Sequence, residues 1–513
     1  MRPPTSRPAD DGPPIRVAII GTGLAGLTTA HLLQSDDQNR YAVTLFEQAN
    51  GLSFDSASVA VRNEATTTVE RIDLPMRASA GGYYDNLMRM YAHLGVPLHP
   101  VRFLFVFARA LADSAAAAAA VTPSGERTQK QQPVGAAPGT YFVHASNLHQ
   151  TPPPRPARHS LLRHLLEILF LIVCQLWFSL ACFLVQPKEA TTTTGTGSTA
   201  ESLDGYLRRI CIPRRYVTHY LLPLMASVST CSHDDMLAFP ASDVVSYKCR
   251  SHGQQHFAVC GGVSQVQGRL VRGINDVRLS TRVLAVEPCA DREAVLVRSQ
   301  NLGGTGRGEE EAQEDEFDRV VLAVSPDVAG RLFKPLRSAV ERIPVRQVES
   351  SILTHAAEAG GAPAHTVVDG YQGVRGCMHH DEGEASPSQV ITLRTAFSKM
   401  GADSEALHAM PSGVVVSTCP LDAAADAKRT LHTARFTRTL RTTESRAVVE
   451  QIMGRSRLHN KKKTDGVQSS WVSGEGNVWL AGAWCWDGMV LLEGCVVSAM
   501  AIADDFGVRI PWR

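Results

Sequence analysis

Apolar and polar positions follow three patterns along this chain. Short β-branched runs bounded by turns read as buried strands. These are Ile15 to Ile20, Tyr41 to Phe46, Asp318 to Val324, and a late run from Gly476 that meets Gly482. Val277 to Glu287 reads as another strand with Val283 at its centre, and Gln347 to Phe397 reads as strand-rich. Helical patterns follow the first strand and recur at Leu87 to Leu94, from Glu201 to about Cys231, at Thr430 to Met453, and from Glu493 onward. The third pattern is Leu161 to Val185, which from Ile168 is nearly all apolar, broken only by Gln175 and Ser179. It is close to the roughly 20 residues that a membrane span requires.

Between these elements lie segments that cannot build a core. Met1 to Pro14 is polar and proline-rich and reads as a disordered N-terminus. An alanine run and polar residues over 114–139 read as an insert, and Thr191 to Thr199 as a linker. Asn301 to Glu316 reads as a solvated acidic hairpin loop, and Lys461 to Lys463 as a basic loop.

The first strand ends in Gly21-Thr22-Gly23-Leu24-Ala25-Gly26, a G-x-G-x-x-G spacing that opens a helix. Gly21 permits the tight turn, Gly23 lets a pyrophosphate approach the backbone, and Gly26 lets helix and strand pack closely. The second strand ends in Glu47. A carboxylate there accepts hydrogen bonds from both ribose hydroxyls of an adenosine and repels a 2′-phosphate. Strand, glycines, helix, second strand and acid in this order make a dinucleotide site far more specific than the glycines alone.

At 513 residues the chain is long enough for two or three domains. Lys and Arg total 51 against 50 Asp and Glu, a balance that argues against a nucleic-acid partner. Eleven cysteines without a C-x-x-C pair suggest reduced thiols and no metal site. The N-terminus has no apolar signal core, so the cytosol is the default compartment. Arg77, beside the Gly81-Gly82 turn, is a candidate for a cofactor phosphate or an ordinary surface residue. Tyr83 and Tyr84 read as core or cleft wall. The adjacent His379 and His380 are the only histidines that position suggests as a base.

The late strand, its aromatic loop Trp484-Cys485-Trp486 and the helix from Glu493-Gly494 again deliver a helix N-terminus to a ligand. Such a terminus stabilises growing negative charge. Together with the first motif, the Gly-Gly-Val before Ser264, D-R-V-V-L-A-V at Asp318, and A-G-A-W with L-E-G-C-V-V-S-A, this resembles the flavin-containing amine oxidase and phytoene desaturase superfamily. It is most similar to the NAD/FAD-binding flavoproteins of bacteria and fungi, through D-L-P-M-R, E-S-L-D-G-Y-L, Y-L-L-P-L-M and L-A-F-P-A-S-D.

The resemblance implies an α/β fold: an FAD-binding Rossmann-like domain of the glutathione-reductase type, interleaved with an α+β substrate domain. The FAD domain is expected over 15–100, 251–335 and 466–513. The substrate domain is expected over 101–250, with the apolar helix at 165–185, and over 336–465. Carried over by position, Gly21, Gly23, Leu24, Ala25 and Gly26 would hold the pyrophosphate and Glu47 the ribose. Val283 would meet the adenine through its backbone, and Gly482, Trp484, Glu493 and Gly494 would line the flavin end. Two positions depart from the family pattern. Gly51-Leu52-Ser53 stands where a Gly-Gly element is usual, and Ala483 where an acid often follows the glycine. A covalent flavin link to Cys485 or Cys495 has less to recommend it than burial of small residues.

The implied function is FAD-dependent oxidation, with a hydride passing from a lipophilic small molecule to flavin. A soluble amine as substrate, a non-catalytic binding protein for lipidated partners, and an NAD-linked dehydrogenase are the rivals. If both chain ends build one FAD domain, a single membrane span would separate them. The apolar helix is therefore expected to insert in a membrane surface from the cytoplasmic side, or else to be buried in a soluble cytoplasmic protein.

Overall fold

The computed structural model describes residues 13–111, 138–157, 159–189, 200–289, 291–303, 312–354, 364–368, 388–399, 401–455 and 471–513. Residues 1–12, nearly all of the 114–139 insert, the Thr191–Thr199 linker, His379, His380 and Lys461 to Lys463 lie outside the described residues.

Five parallel strands form the sheet that carries the glycine motif. Their order is Asp276–Arg278, Tyr41–Phe46, Ile15–Ile20, Arg319–Leu322 and Val478–Leu480. Ile20 pairs with Phe46 on one side and Leu322 on the other, and Leu322 pairs with Leu480. Val17, Ala18, Ile19, Val320, Val321, Leu322 and Leu480 are wholly buried. That burial on both faces explains why these strands read as unbroken apolar runs. The helices Leu24–Gln34 and Leu492–Asp505 pack together against this sheet, so the two ends of the chain share one core.

A second sheet of seven strands is built from the intervening segments. Its order is Thr430–Thr439, Val345–Leu353, Val415–Thr418, Gly401–Ala409, Gln389–Ser398, Phe103–Arg109 and Thr140–Ala145. All neighbours are antiparallel except Gln389–Ser398 with Phe103–Arg109. The fold is α/β, with a Rossmann-like parallel sheet and an interleaved, mainly antiparallel one.

Two elements differ from the sequence pattern. Val277 to Glu287 is not one strand. The chain turns at Ser280, whose φ is 49°, so that Asp276–Arg278 joins the parallel sheet and Thr281–Pro288 starts a separate antiparallel meander. Thr430 to Met453 is helical only at Thr443–Ile452, where Thr442 and Ser445 form a reciprocal cap. Thr430–Thr439 is a strand paired along Val345–Leu353. Four β-branched threonines favour that pleated partner surface over a helix.

The apolar segment is a helix, Leu161–Leu184, opened by a Ser160 side chain that accepts from the Arg163 amide. It is the one helix among the described residues long and apolar enough to cross a membrane. It lies docked along the neighbouring helices Leu203–Arg209 and Ala241–Ser251. Tyr206 donates its hydroxyl to the carbonyls of Ala181 (3.0 Å) and Val185 (3.1 Å), and the Trp177 indole donates to the Ile210 carbonyl (2.7 Å). Glu167, the one acid in the helix, is buried, and it accepts from Arg215 and Tyr220.

Nine cysteines are free thiols among the described residues. Cys260 is disulfide-bonded, a departure from the expectation of reduced thiols throughout.

Candidate active site

The glycine turn separates into positions that serve the fold and one that faces open space. Gly21 has φ of 102°, and a Cβ there would stand 2.6 Å from the Ala323 carbonyl oxygen. A Cβ on Gly26 would stand 2.0 Å from the Gly21 oxygen. These two glycines let the first strand, the neighbouring Arg319–Leu322 strand and the helix approach one another. A Cβ on Gly23 would meet nothing within 4 Å. Gly23 is also the N-cap of the Leu24–Gln34 helix, and no side chain caps it. Leu24 and Ala25 follow as the buried first turn. An open glycine at an uncapped helix N-terminus is the arrangement that receives a phosphate.

Glu47 is buried beside this turn. Its Oε2 accepts from the Thr22 hydroxyl at 2.6 Å and from the Thr22 amide at 3.2 Å, and its Oε1 accepts from the Ala49 amide at 3.1 Å. The carboxylate is thereby fixed in direction, with acceptor capacity left on Oε1. The departing segment Gly51-Leu52-Ser53 folds back onto the same turn, since the Ser53 amide donates to Thr22 Oγ1 at 2.8 Å. Val283 sits in Thr281–Pro288, whose first amide donates to the Glu47 carbonyl at 2.8 Å. Its side chain belongs to the core with Phe46 and Phe317.

At the other end, the residues expected around a flavin are largely occupied by protein partners. The Gly482 amide donates to Ser498 Oγ at 2.9 Å. Trp484 is buried, with its indole donating to the Val324 carbonyl at 3.0 Å. Trp486 is buried too and donates to the Met489 carbonyl at 2.9 Å. Arg441, wholly buried, ties this loop down by donating to the carbonyls of Trp484 (3.2 Å) and Trp486 (2.8 Å). A Cβ on Gly494 would stand 2.4 Å from the Trp486 ring, so Gly494 admits that ring onto the helix start.

Glu493 spans two helices. Its Oε1 accepts from the Asn86 amide (3.0 Å) and side chain (2.8 Å), and its Oε2 accepts from the Leu87 amide (3.0 Å). It therefore caps the Asp85–His93 helix from outside. Burial holds its carboxyl above the usual range, and the Leu87 and Asn86 donors work against that. Cys495 is pushed up to about 12 by burial, and burial raises Cys485 as well, so both are thiols. The Leu492–Asp505 helix begins with no side-chain cap on its N-terminus.

The chain matches the flavin containing amine oxidoreductase family over residues 155–505. It belongs to that family. Residues 19–94 also match the NAD(P)-binding Rossmann-like domain. Among solved structures, the fold is similar to the CLA-producing fatty acid isomerase from P. acnes, with 12% identity, TM-score 0.52, and 97% and 99% of the two chains covered. It is also similar to the cyclohexylamine oxidase from Brevibacterium oxydans IH-35A, with 12% identity, TM-score 0.49, and 96% and 100% coverage. No curated protein matches the chain in sequence.

This family member is an FAD-dependent oxidoreductase, and its residues suit FAD. An open Gly23 before an uncapped helix, a fixed Glu47 and a second uncapped helix N-terminus would suit a diphosphate, a ribose and a ring that gains negative charge.

Where that second N-terminus ends, a cavity of about 350 Å³ begins. Leu491 and Leu492 form its floor, and the seven-stranded sheet forms its far wall through Phe103, Ile391, Val416 and Phe436. Tyr84 and Tyr247 line it as well, and Tyr83 lies behind them, edge-on to both. Its titratable members include His256, His408 and Arg438, which sequence spacing did not single out, and Arg77, which it did. Burial lowers both histidines, His408 to about 4, and each keeps a buried Nδ1 without a partner. They are neutral at physiological pH. No motif could have found them, because they come from strands far apart in sequence.

Proposed function

We propose that this enzyme oxidises a lipophilic small molecule that it takes from a membrane surface. Bound FAD supplies the two-electron acceptor, and the substrate loses a hydride and a proton as a double bond forms. Gly23, with Leu24 and Ala25 at the helix start, would hold the pyrophosphate, Gly21 and Gly26 would shape the turn that presents them, Glu47 would hold the ribose, and the Val283 backbone would meet the adenine. Glu493, Gly494, Gly482 and Trp484 act by shaping the flavin end rather than by touching the ring. The cavity wall holds the substrate against that end and keeps water out, with the imidazole of His256 available to accept a proton.

The observation that carries the lipophilic reading is the outward face of the Leu161–Leu184 helix. Leu162, Leu166, Leu169, Val173, Leu176 and Leu184 recur at helical spacing and are 58–70% exposed. The opposite face buries His164, Glu167, Cys174, Phe178, Ala181 and Cys182. A contiguous apolar stripe of this size on a soluble surface marks an interaction site. A membrane is the favoured occupant because the helix lies flat on the protein with its single acid turned inward. Such a helix inserts one face and does not span. The cavity lies one layer behind it: the Ala241–Ser251 helix touches the apolar helix through Cys249 and the cavity through Tyr247.

Flotation of the purified protein with phosphatidylcholine–phosphatidylglycerol vesicles, followed by anaerobic flavin bleaching with lipid extracts, tests this. Co-flotation and bleaching by an apolar fraction are expected. A protein that stays at the bottom of the gradient, and whose flavin bleaches only with soluble amines, would establish the amine reading instead.

A further inference from the structure

Resting on the reading of a lipophilic substrate, we infer that the substrate carries a carboxylate or similar anionic head group, held by Arg438 and Arg77 in the cavity wall.

The lining of the cavity contains two arginines and no acidic residue or lysine. A protonated amine entering it finds no counter-charge; an anion finds two. Arg438 projects from Thr430–Thr439, and its Nε donates to Thr230 Oγ1 at 2.8 Å. Arg77 donates through Nη2 to the Phe54 carbonyl at 2.9 Å and stacks over the Phe54 ring at 4.3 Å. Its Nη1 is buried without a partner. Among the described residues, neither guanidinium forms an ion pair. Arg346 and Arg435, on the same sheet as Arg438, each have a carboxylate within 4.0 Å.

Two half-buried guanidinium groups facing one cavity, with only Asp73, among the described residues, acting on Arg77 from behind, leave positive charge that an anionic ligand would compensate. Burial and the neighbouring Arg77 both press on the Arg438 charge, which an anion between them would relieve. A guanidinium offers a planar fork that matches a carboxylate in two parallel hydrogen bonds. The remaining wall is aliphatic and aromatic, with Leu224, Val228, Ile391, Val416 and Phe436 suited to an alkyl or isoprenoid chain. The Thr230 hydroxyl, which accepts from Arg438 Nε, also lines the cavity.

The test uses FAD-loaded enzyme and three probes of one chain length: decanoate, decylamine and decanol. Each is titrated while the flavin absorbance band is followed. Decanoate is expected to bind at least tenfold more tightly than the other two. Arg438→Met should weaken decanoate about 10- to 100-fold while leaving decanol binding and FAD content unchanged. Arg438→Lys, which keeps the charge without the fork, should fall between. If Arg438→Met does not fold, the lysine variant and the three-probe comparison on the natural enzyme still decide.

Tighter binding of decylamine would overturn the inference. Loss of FAD from folded Arg438→Met would overturn it too, because the anion held would then be the cofactor's. Equal binding of decanol and decanoate would sink the head group alone and leave the lipophilic reading standing. Failure of all three to bind would end both.

Discussion

Glu493 of the last helix caps a helix that starts at Asp85, accepting from both the amide and the side chain of Asn86, 407 residues earlier in the chain. The carboxylate that sequence comparison places at a flavin therefore sets the position of the terminal helix. Glu493→Gln replaces one acceptor oxygen with an NH2 group that faces the Leu87 or Asn86 donors. It should cost about 1–3 kcal/mol, the penalty of a buried amide left without a partner. Urea denaturation of the FAD-loaded protein measures it, and FAD release should begin at lower urea than in the natural protein.

The two outer members of the glycine motif and its middle one should respond differently to the same substitution. Gly26→Ala forces a Cβ to within 2.0 Å of a backbone oxygen and should destabilise the fold by about 3 kcal/mol or more. Gly23→Ala adds a Cβ into open space at a φ of −68° that alanine adopts freely. The apoprotein should keep its stability within about 0.5 kcal/mol. FAD affinity should fall at least tenfold, about 1.4 kcal/mol. Thermal melts of both apoproteins and equilibrium dialysis with FAD separate the effects.

His408 makes stability depend on acid. Its Nε2 pairs with Gln389 Oε1 at 2.9 Å, and burial holds its pKa near 4, against 6.5 in the unfolded chain. Above pH 6.5 the imidazole is neutral in both states and its contribution to stability is complete. As pH falls from 6.5 toward 4, the unfolded chain binds a proton that the fold refuses, and up to about 3 kcal/mol is lost. Denaturation midpoints at pH 7.5 and 5 should differ less in His408→Gln than in the natural protein.

Leu169 and Leu176 lie on the outward stripe of the apolar helix, 58% and 65% exposed. Leu169→Glu with Leu176→Glu should leave the melting temperature nearly unchanged, since neither side chain belongs to the core. Co-flotation with anionic vesicles should disappear. A double variant that unfolds, or that floats as before, would show that the stripe serves another contact.

The cofactor half of this enzyme is written locally. The first strand, the G-x-G-x-x-G turn, the helix behind it and Glu47 all lie within some 30 consecutive residues, and each local preference agrees with the fold. The parallel strands are buried on both faces, so their apolar runs are unambiguous. The length and apolar character of the Leu161–Leu184 helix were equally plain.

What lies across the fold was not legible. An all-round apolar helix has no face marked inward, and only the partners of Glu167, Trp177 and Ala181 select one. Thr430–Thr439 became a strand because Val345–Leu353 was there to pair with it. Glu493, Trp484 and Gly482 lie near the expected flavin end, but whether their polar groups face a ligand or a neighbour depended on Asn86, Val324 and Ser498. The cavity wall is the extreme case. His408 and Arg438 come from the seven-stranded sheet, His256 from a separate three-stranded one and Arg77 from the turn before it, so they meet through long-range strand pairing and packing rather than through anything within a few residues of each one.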